Sequence, residues 1–373
     1  KGLNDQAIDA YSHIIVLDPG AVDAYYNRGF AYKEKGLYDQ AIADYNKALE
    51  INPKDADAYN NRGLAYKEKG LYDQAISDYN KALEIDPRHL NAYYNSGFIY
   101  KEKGLYDQAI DAYTNVLDID PRDANAYNHR GATYKKKGLY DEAISDYNKA
   151  LEINPGHGNA YYNRGIAYQE KGLYNKAISD FNKALEISPK DANAYNNRGV
   201  AYHGKGLYDH AIADYTKALE INSKAVDAYY NRGIAYHEKG LYDKAIFDYT
   251  QVLEINPKAV DAYNNLAWLL ATSPDDKVRD GTKALEYAKK ACELTDWKDP
   301  SKLDTLAAAH AEAGQFDEAI KWQEKALEFP EYPKDEREKA ALRLKLYKEG
   351  KPYREMVVGV KSYTFLFRLA EFS

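Results

Sequence analysis

The chain repeats itself every 34 residues, and no other feature limits its fold so tightly. Proline closes the unit at Pro19, Pro53, Pro87, Pro121, Pro155, Pro189 and Pro257, with Ser223 once standing in its place. A unit this short cannot bury its own apolar face, so it must stack on copies of itself. The expected product is a solenoid with one continuous core and an extended groove. Such a shape usually binds other molecules rather than transforming them.

Within a unit, Tyr25, Gly29 and Tyr32 share one helical stripe, at spacings of four and three. Lys35-Gly36 breaks that helix, glycine being the usual residue just past a helix end. A second stripe follows in Ala41, Ile42, Tyr45, Ala48 and Leu49, and Asn52-Pro53 stops it. Two antiparallel helices result, with Gly29 and Ala41 small where they would cross. The chain has 38 tyrosines against 9 phenylalanines. A buried tyrosine is expected to find a partner for its hydroxyl, so tyrosine in this number implies shared, repeated environments.

Tyr25, Arg28-Gly29, Tyr32, Ala41, Tyr45, Ala48 and Pro53 together resemble the tetratricopeptide repeat, in a tyrosine-rich form of bacterial type. Tyrosine stands for the usual tryptophan and phenylalanine, and Arg28 for leucine. The resemblance implies an all-α, right-handed superhelical solenoid. Residues 1–20 read as the second helix of a partial repeat and residues 21–259 as seven regular repeats. Residues 260–330 read as two divergent repeats with an enlarged turn at 272–280. Residues 331–350 read as a capping helix with Ala341, Leu342 and Leu346 on one side, and residues 351–373 as an apolar tail of unknown role. Deletion of that tail, from Met356 on, tests whether it lies in a groove. Because the chain opens on a second helix, it is also read as a product lacking earlier residues, or one with a neighbour over the open face.

In the family, positions two, five, six, nine and twelve of the unit line the concave wall, a grouping that helical spacing supports. Position six then reads Asn27, Asn61, Asn95, His129, Asn163, Asn197, Asn231 and Asn265, an asparagine ladder with one histidine rung. An amide offers both a donor and an acceptor, which suits the backbone of an extended peptide. Position five alternates Tyr26, Asn60, Tyr94, Asn128, Tyr162, Asn196, Tyr230 and Asn264, spacing aromatic platforms two repeats apart. Position nine adds an apolar seam that ends in Trp268. Two plainer readings stand beside these. The asparagines could bond the adjacent helix, and duplication of a repeat pair would also give the alternation.

Other charges are expected to serve structure. Asp39, Asp73 and Asp107 suit helix starts, and Arg28, Arg62, Arg130, Arg164, Arg198 and Arg232 are expected to pair with acids between repeats. Lys33, Lys67 and Lys101 are the cations available to capture a terminal carboxylate, but a glutamate directly follows each one.

Catalysis has little support. The histidines, including His203, His210 and His237, are scattered among repeats, and Cys292, the single cysteine, has no evident partner. No phosphate-binding glycine loop or metal-ligand spacing is present, so no enzyme activity, cofactor or metal is expected. The net charge of -7 at pH 7 argues against nucleic acid as a partner, and no apolar run is long enough for a membrane span. The default compartment is the cytoplasm. The reading reached is a non-catalytic scaffold that binds an extended or helical protein segment. The alternatives are a self-assembling protein, joined end to end or by tail insertion, and a regulatory domain of a larger enzyme.

Overall fold

The structure is a computed structural model describing residues 2–356, so the anticipated tail beyond Met356 lies outside the described residues. All regular structure among the described residues is helical, in two compact units. The N-terminal unit, residues 1–173, contains α1 (Leu3–Leu17), α2 (Val22–Glu34), α3 (Tyr38–Ile51), α4 (Ala56–Glu68) and α5 (Tyr72–Ile85). It continues with α6 (Leu90–Glu102), α7 (Tyr106–Ile119), α8 (Ala124–Lys136), α9 (Tyr140–Ile153) and α10 (Gly158–Glu170). The C-terminal unit, residues 174–373, contains α11 (Tyr174–Ile187), α12 (Ala192–Gly204), α13 (Tyr208–Ile221), α14 (Val226–Glu238) and α15 (Tyr242–Ile255). It ends with α16 (Val260–Thr272), α17 (Gly281–Leu294), α18 (Pro300–Glu312), α19 (Phe316–Leu327) and α20 (Lys334–Lys348).

Within each unit consecutive helices pack as antiparallel pairs, and each pair packs on the next. First helices also touch one another, as α2 with α4, α4 with α6 and α12 with α14. Each first helix except α16 stops at a glycine such as Gly36, whose φ of 73° is open to glycine at little cost. There the Leu37 N–H donates back to the Tyr32 carbonyl at 2.9 Å and turns the chain. The starts of α4, α8 and α12 are capped by Asp55, Asp123 and Asp191, and those of α6 and α10 by the imidazoles of His89 and His157.

The typical crossing of a regular helix pair is built from a glycine and a tyrosine. A methyl group on Gly63 would sit 2.6 Å from Cε1 of Tyr79, and the same holds for Gly199 and Tyr215. Tyr45, Tyr79, Tyr147 and Tyr215 are fully buried, between alanines such as Ala41 and Ala75. Their hydroxyls meet no hydrogen-bond partner, contrary to the expectation that buried tyrosines find one. Burying a ring of this size is worth about 2 kcal/mol, of the same order as leaving a hydroxyl unsatisfied. Phe181 at the same position does without the hydroxyl and is equally buried.

Arginine holds the repeats together in a way only partly foreseen. Arg62 makes two bonds to Asp78 of its own repeat, Nε to Oδ2 at 2.7 Å and Nη2 to Oδ1 at 2.6 Å. Its Nη1 donates to the Asn46 amide oxygen of the preceding repeat at 2.7 Å. Arg28, Arg130, Arg198 and Arg232 repeat the arrangement, reaching back to Ser12, Thr114, Asn182 and Thr216. The buried acid is therefore in the same repeat, and the link between repeats is to a neutral side chain. In the third repeat Ser96 and Ala112 replace arginine and aspartate together. Asp39, Asp73 and Asp107 do stand in first turns, and each also pairs with a lysine of the next repeat, Lys69, Lys103 or Lys137. These last pairs are exposed and contribute little.

The packed side of α20 differs from the one anticipated. Ala340, Arg343 and Tyr347 are buried, whereas Leu342 is 61% exposed. Arg343 is drawn inward by Asp304 of α18, Nη2 to Oδ2 at 2.6 Å, and Gln323 donates to the same carboxylate at 2.7 Å. A bidentate, buried ion pair thus sets the rotation of the helix, and the leucines follow.

Candidate functional site, the first-helix face

Positions five, six, nine and twelve stand on the first helices, and the structure shows what most of them touch. Asn61 donates from Nδ2 to the Tyr26 hydroxyl at 2.8 Å. Asn95 donates to the amide oxygen of Asn60 at 3.0 Å, Asn163 to Asn128 at 3.1 Å, and Asn231 to Asn196 at 3.1 Å. Asn265 donates to the Tyr230 hydroxyl at 3.1 Å. In each case position six bonds to position five of the preceding repeat, so the ladder and the alternation belong to one network. Tyrosine and asparagine both present an acceptor there, which is why they interchange. The reading in which asparagine bonds the adjacent helix therefore describes one N–H of each of these amides.

Valence remains. Asn95 and Asn163 are half-buried, and their amide oxygens accept no bond from the described residues. Asn61 is the exception, since Lys33 donates to its oxygen at 3.3 Å. Asn27 bonds to no group among the described residues, and Asn197 takes part in contacts of its own. His129 replaces the amide with a ring, stacked on Tyr113 at 5.6 Å and set edge-on to Tyr94 at 5.9 Å. Burial lowers its pKa, and Lys101 adds to the effect, so it is a neutral rung. The hydroxyl of Tyr94 is diverted to Asp123 at 2.6 Å.

The aromatic platforms are less open than expected. Tyr26 and Tyr94 are half-buried, edge-on to the core tyrosines Tyr45 and Tyr113, and Tyr162 is half-buried too. Tyr230 and Trp268 are only 7% and 5% exposed. The open rings of the N-terminal unit are instead Phe30 and Phe98 at position nine, 43% and 40% exposed. Lysines of position twelve stand over them, Lys33 at 4.4 Å from the Phe30 ring and both Lys67 and Lys101 at 5.3 Å from Phe98. Lys33, Lys67 and Lys101 also approach Glu34, Glu68 and Glu102.

In the C-terminal unit this face is occupied by the chain itself. Beyond α20, residues 351–356 run without helix across the C-terminal ends of α14, α16 and α18. The Glu355 N–H donates to the Thr272 carbonyl at 2.8 Å. Its carboxylate accepts from Trp268 Nε1 at 2.6 Å and lies 2.9 Å from His237 Nε2. Arg354 pairs with Glu312 at 2.5 Å, and Tyr353 packs against Trp268 at 5.9 Å and under the Arg343 guanidinium at 5.6 Å. His237 and Glu355 are 118 residues apart, so no periodicity could have joined them. The one available signal was the change at position twelve from Lys33, Lys67, Lys101 and Lys135 to Gln169, His203 and His237.

No metal-holding group of His, Cys, Asp or Glu side chains occurs among the described residues. Cys292 is buried, which pushes its thiol up to about 12 and keeps it protonated. Among the described residues no helix is long and apolar enough to cross a membrane.

Stacked helix pairs with glycine–tyrosine crossings and a closing proline define a helical repeat protein. Family models described as TPR or tetratricopeptide repeat match residues 10–43, 31–70, 56–89, 78–111, 97–138, 122–190, 157–224, 226–259 and 301–329. The chain belongs to the tetratricopeptide repeat family, whose members are protein-interaction scaffolds. A search of curated proteins finds no match. Among solved structures, MamA is 32% identical over 45% of this chain and 92% of its own, with a TM-score of 0.42. A tetratricopeptide repeat protein from Parabacteroides merdae is 22% identical over 63% of this chain and 93% of its own, with a TM-score of 0.54. The hetero-tetramer of Cut9 and Hcn1 matches at 21% identity over 68% of this chain and 50% of its own, at 0.52. These last two share the fold.

Proposed function

We propose that this chain is a non-catalytic scaffold that holds an extended segment of a partner protein along its first helices. The observation that carries this reading is the half-used asparagine ladder. One N–H of each amide is fixed by the neighbouring repeat, which orients the group, while the oxygens of Asn95 and Asn163 remain for a ligand backbone. A peptide there would run past Phe30 and Phe98, which supply apolar contact beside Lys33, Lys67 and Lys101. Position five contributes rigidity, with Tyr26, Tyr94 and Tyr162 bracing the rungs.

The test is capture from a displayed library of random peptides, comparing the wild type with a triple variant Asn61→Ala, Asn95→Ala, Asn163→Ala. Each lost hydrogen bond is worth about 1 kcal/mol, so the triple variant should lose enrichment almost entirely while its helical circular dichroism persists. Equal enrichment by a folded triple variant would remove the ladder from the mechanism.

A second reading, association of copies end to end, is favoured by α1. Leu3, Val16 and Leu17 are 85%, 80% and 85% exposed, and the helix has no buried residue. Mass by light scattering should rise with concentration and fall back in a Val16→Glu, Leu17→Lys variant. A constant monomer mass would dismiss it.

A further inference from the structure

We infer that His237 and Trp268 form a carboxylate receptor for an extended peptide carrying an aromatic residue two places before a glutamate, and that Tyr353–Arg354–Glu355 occupies it in cis. The inference rests on the scaffold reading, and it assigns the ligand class to one part of that face.

The geometry is that of a bound peptide rather than of a chain end resting on a surface. Glu355 uses its main chain and both carboxylate oxygens at once, the main chain and Oε1 toward α16 and Oε2 toward α14. Its side chain is 15% exposed and that of His237 12%, so the carboxylate has given up most of its water. A carboxylate tolerates that only when donors replace the water. The indole N–H is one donor and the imidazole the other. Two residues earlier, Tyr353 packs against both Trp268 and Arg343, which also touch each other. Arg354, between them, turns to Glu312, itself held by Arg279 at 3.1 Å. Alternate residues therefore face alternate sides, as in an extended peptide read by pockets.

The receptor groups come from the scaffold, and each is held independently of the segment. The Trp268 ring lies against the Arg343 guanidinium, which Asp304 fixes from α18. The His237 ring lies edge-on to Tyr242 at 5.9 Å. Removal of the segment would leave an indole N–H and an imidazole facing solvent at position nine of one repeat and position twelve of the preceding one. Burial would lower the His237 pKa, but Glu355 and then Glu238 raise it above its ordinary value, so the occupied site favours the imidazolium beside the carboxylate.

The experiment opens the receptor without altering it. A variant with Arg354→Ala and Glu355→Ala is titrated with a fluorescein-labelled hexapeptide, Lys-Pro-Tyr-Arg-Glu-Met, by anisotropy. Wild type should bind it at least tenfold more weakly than the variant, because its own segment competes. A peptide with Gln for Glu should bind at least tenfold more weakly than the parent, and adding His237→Ala should cancel the gain. A folded double variant that binds neither peptide overturns the proposal, as does equal binding of both.

Should that variant unfold, hydrogen exchange on His237→Ala serves instead. The Glu355 amide should exchange at least tenfold faster while the amides of α16 and α18 keep their protection. Loosening of the whole unit together would show a structural strap and overturn the proposal. Both measurements use residues of the C-terminal unit only. The ladder test uses residues of the N-terminal unit, so either idea can fail without the other.

Discussion

The helix crossings of the regular repeats and of the eighth repeat solve one packing problem with opposite materials. In α4 and α5, Gly63 receives the Tyr79 ring, and Arg62 reaches Asp78. In α16 and α17 the corresponding residues are Ala267 against Ala288 and Leu266 against Tyr287. Where a glycine received a large ring two alanines now meet, and the charged pair becomes an apolar one. The fold tolerates both because the crossing constrains each pair and not each residue. The change has a use. α16 has nine buried residues, Ala262 and Asn265 to Thr272, and can accept cover from α20 and residues 351–356. A first helix of the regular kind, with Phe30 or Phe98 outward, stays open.

The comparison breaks most severely at the ion pair. Asp78→Ala leaves Arg62, only 18% exposed at its side chain, without its carboxylate. The expected loss is about 3 kcal/mol, read as a shift in urea midpoint. Arg62→Ser combined with Asp78→Ala reproduces the third repeat and should cost markedly less. A double variant as unstable as the single one would show that Ser96 and Ala112 are not a compensating pair.

Next in size is Gly63→Ala, which drives a methyl group against the Tyr79 ring at a cost of about 2 kcal/mol. The reverse change, Ala267→Gly, should cost about 1 kcal/mol, from helix propensity. Equal losses would mean that the ring is not the obstacle.

Tyr79→Phe sharpens the point about hydroxyls. It removes a buried group without a partner and should leave stability unchanged or raise it by about 1 kcal/mol. A loss above that size would reveal a hydrogen bond the fold depends on.

The smallest effect concerns pH. His237 is faced by Glu355, Glu238 and the Tyr242 ring, and Glu355 by His237, Trp268 and Arg343. The His237 pKa is raised in the fold, so its contribution is complete below the ordinary 6.5 and fades as pH climbs through the raised value. Burial would raise Glu355, but His237 holds it below the ordinary 4.5, so its contribution is complete above that value and fades in acid. Exchange of the Glu355 amide should be slowest, after correction for intrinsic rate, between these limits. A flat profile would mean that the contact does not depend on charge.

Much of the fold was legible because a 34-residue period fixes both helices, the glycine turn and the proline stop. The register of the ladder was legible for the same reason. What each rung bonds to was not, since Asn61 and Tyr26 lie 35 residues apart and an amide carries no mark of its partner. Arg62 was foreseen as structural, but its acid was assigned to the wrong neighbour. The register of Trp268 matches that of Phe30 and places it on the groove wall, but its cover comes from Glu355, 87 residues downstream, where no repeat operates. The packed side of α20 does not show in its leucines, because Asp304, 39 residues upstream, draws Arg343 inward.

The missing ion pair of the third repeat has a consequence for assembly. Repeats this alike invite partner exchange, in which the first helix of one unit docks on the second helix of another, within or between copies. Most such swaps are silent, because Arg28, Arg62, Arg130, Arg198 and Arg232 would each find an aspartate wherever they landed. A swap that involves the third repeat is not. It sets an arginine on Ala112 or leaves an aspartate facing Ser96, with a charge stranded between helices. Among the regular repeats, that one mismatch sets the third apart as a partner for exchange.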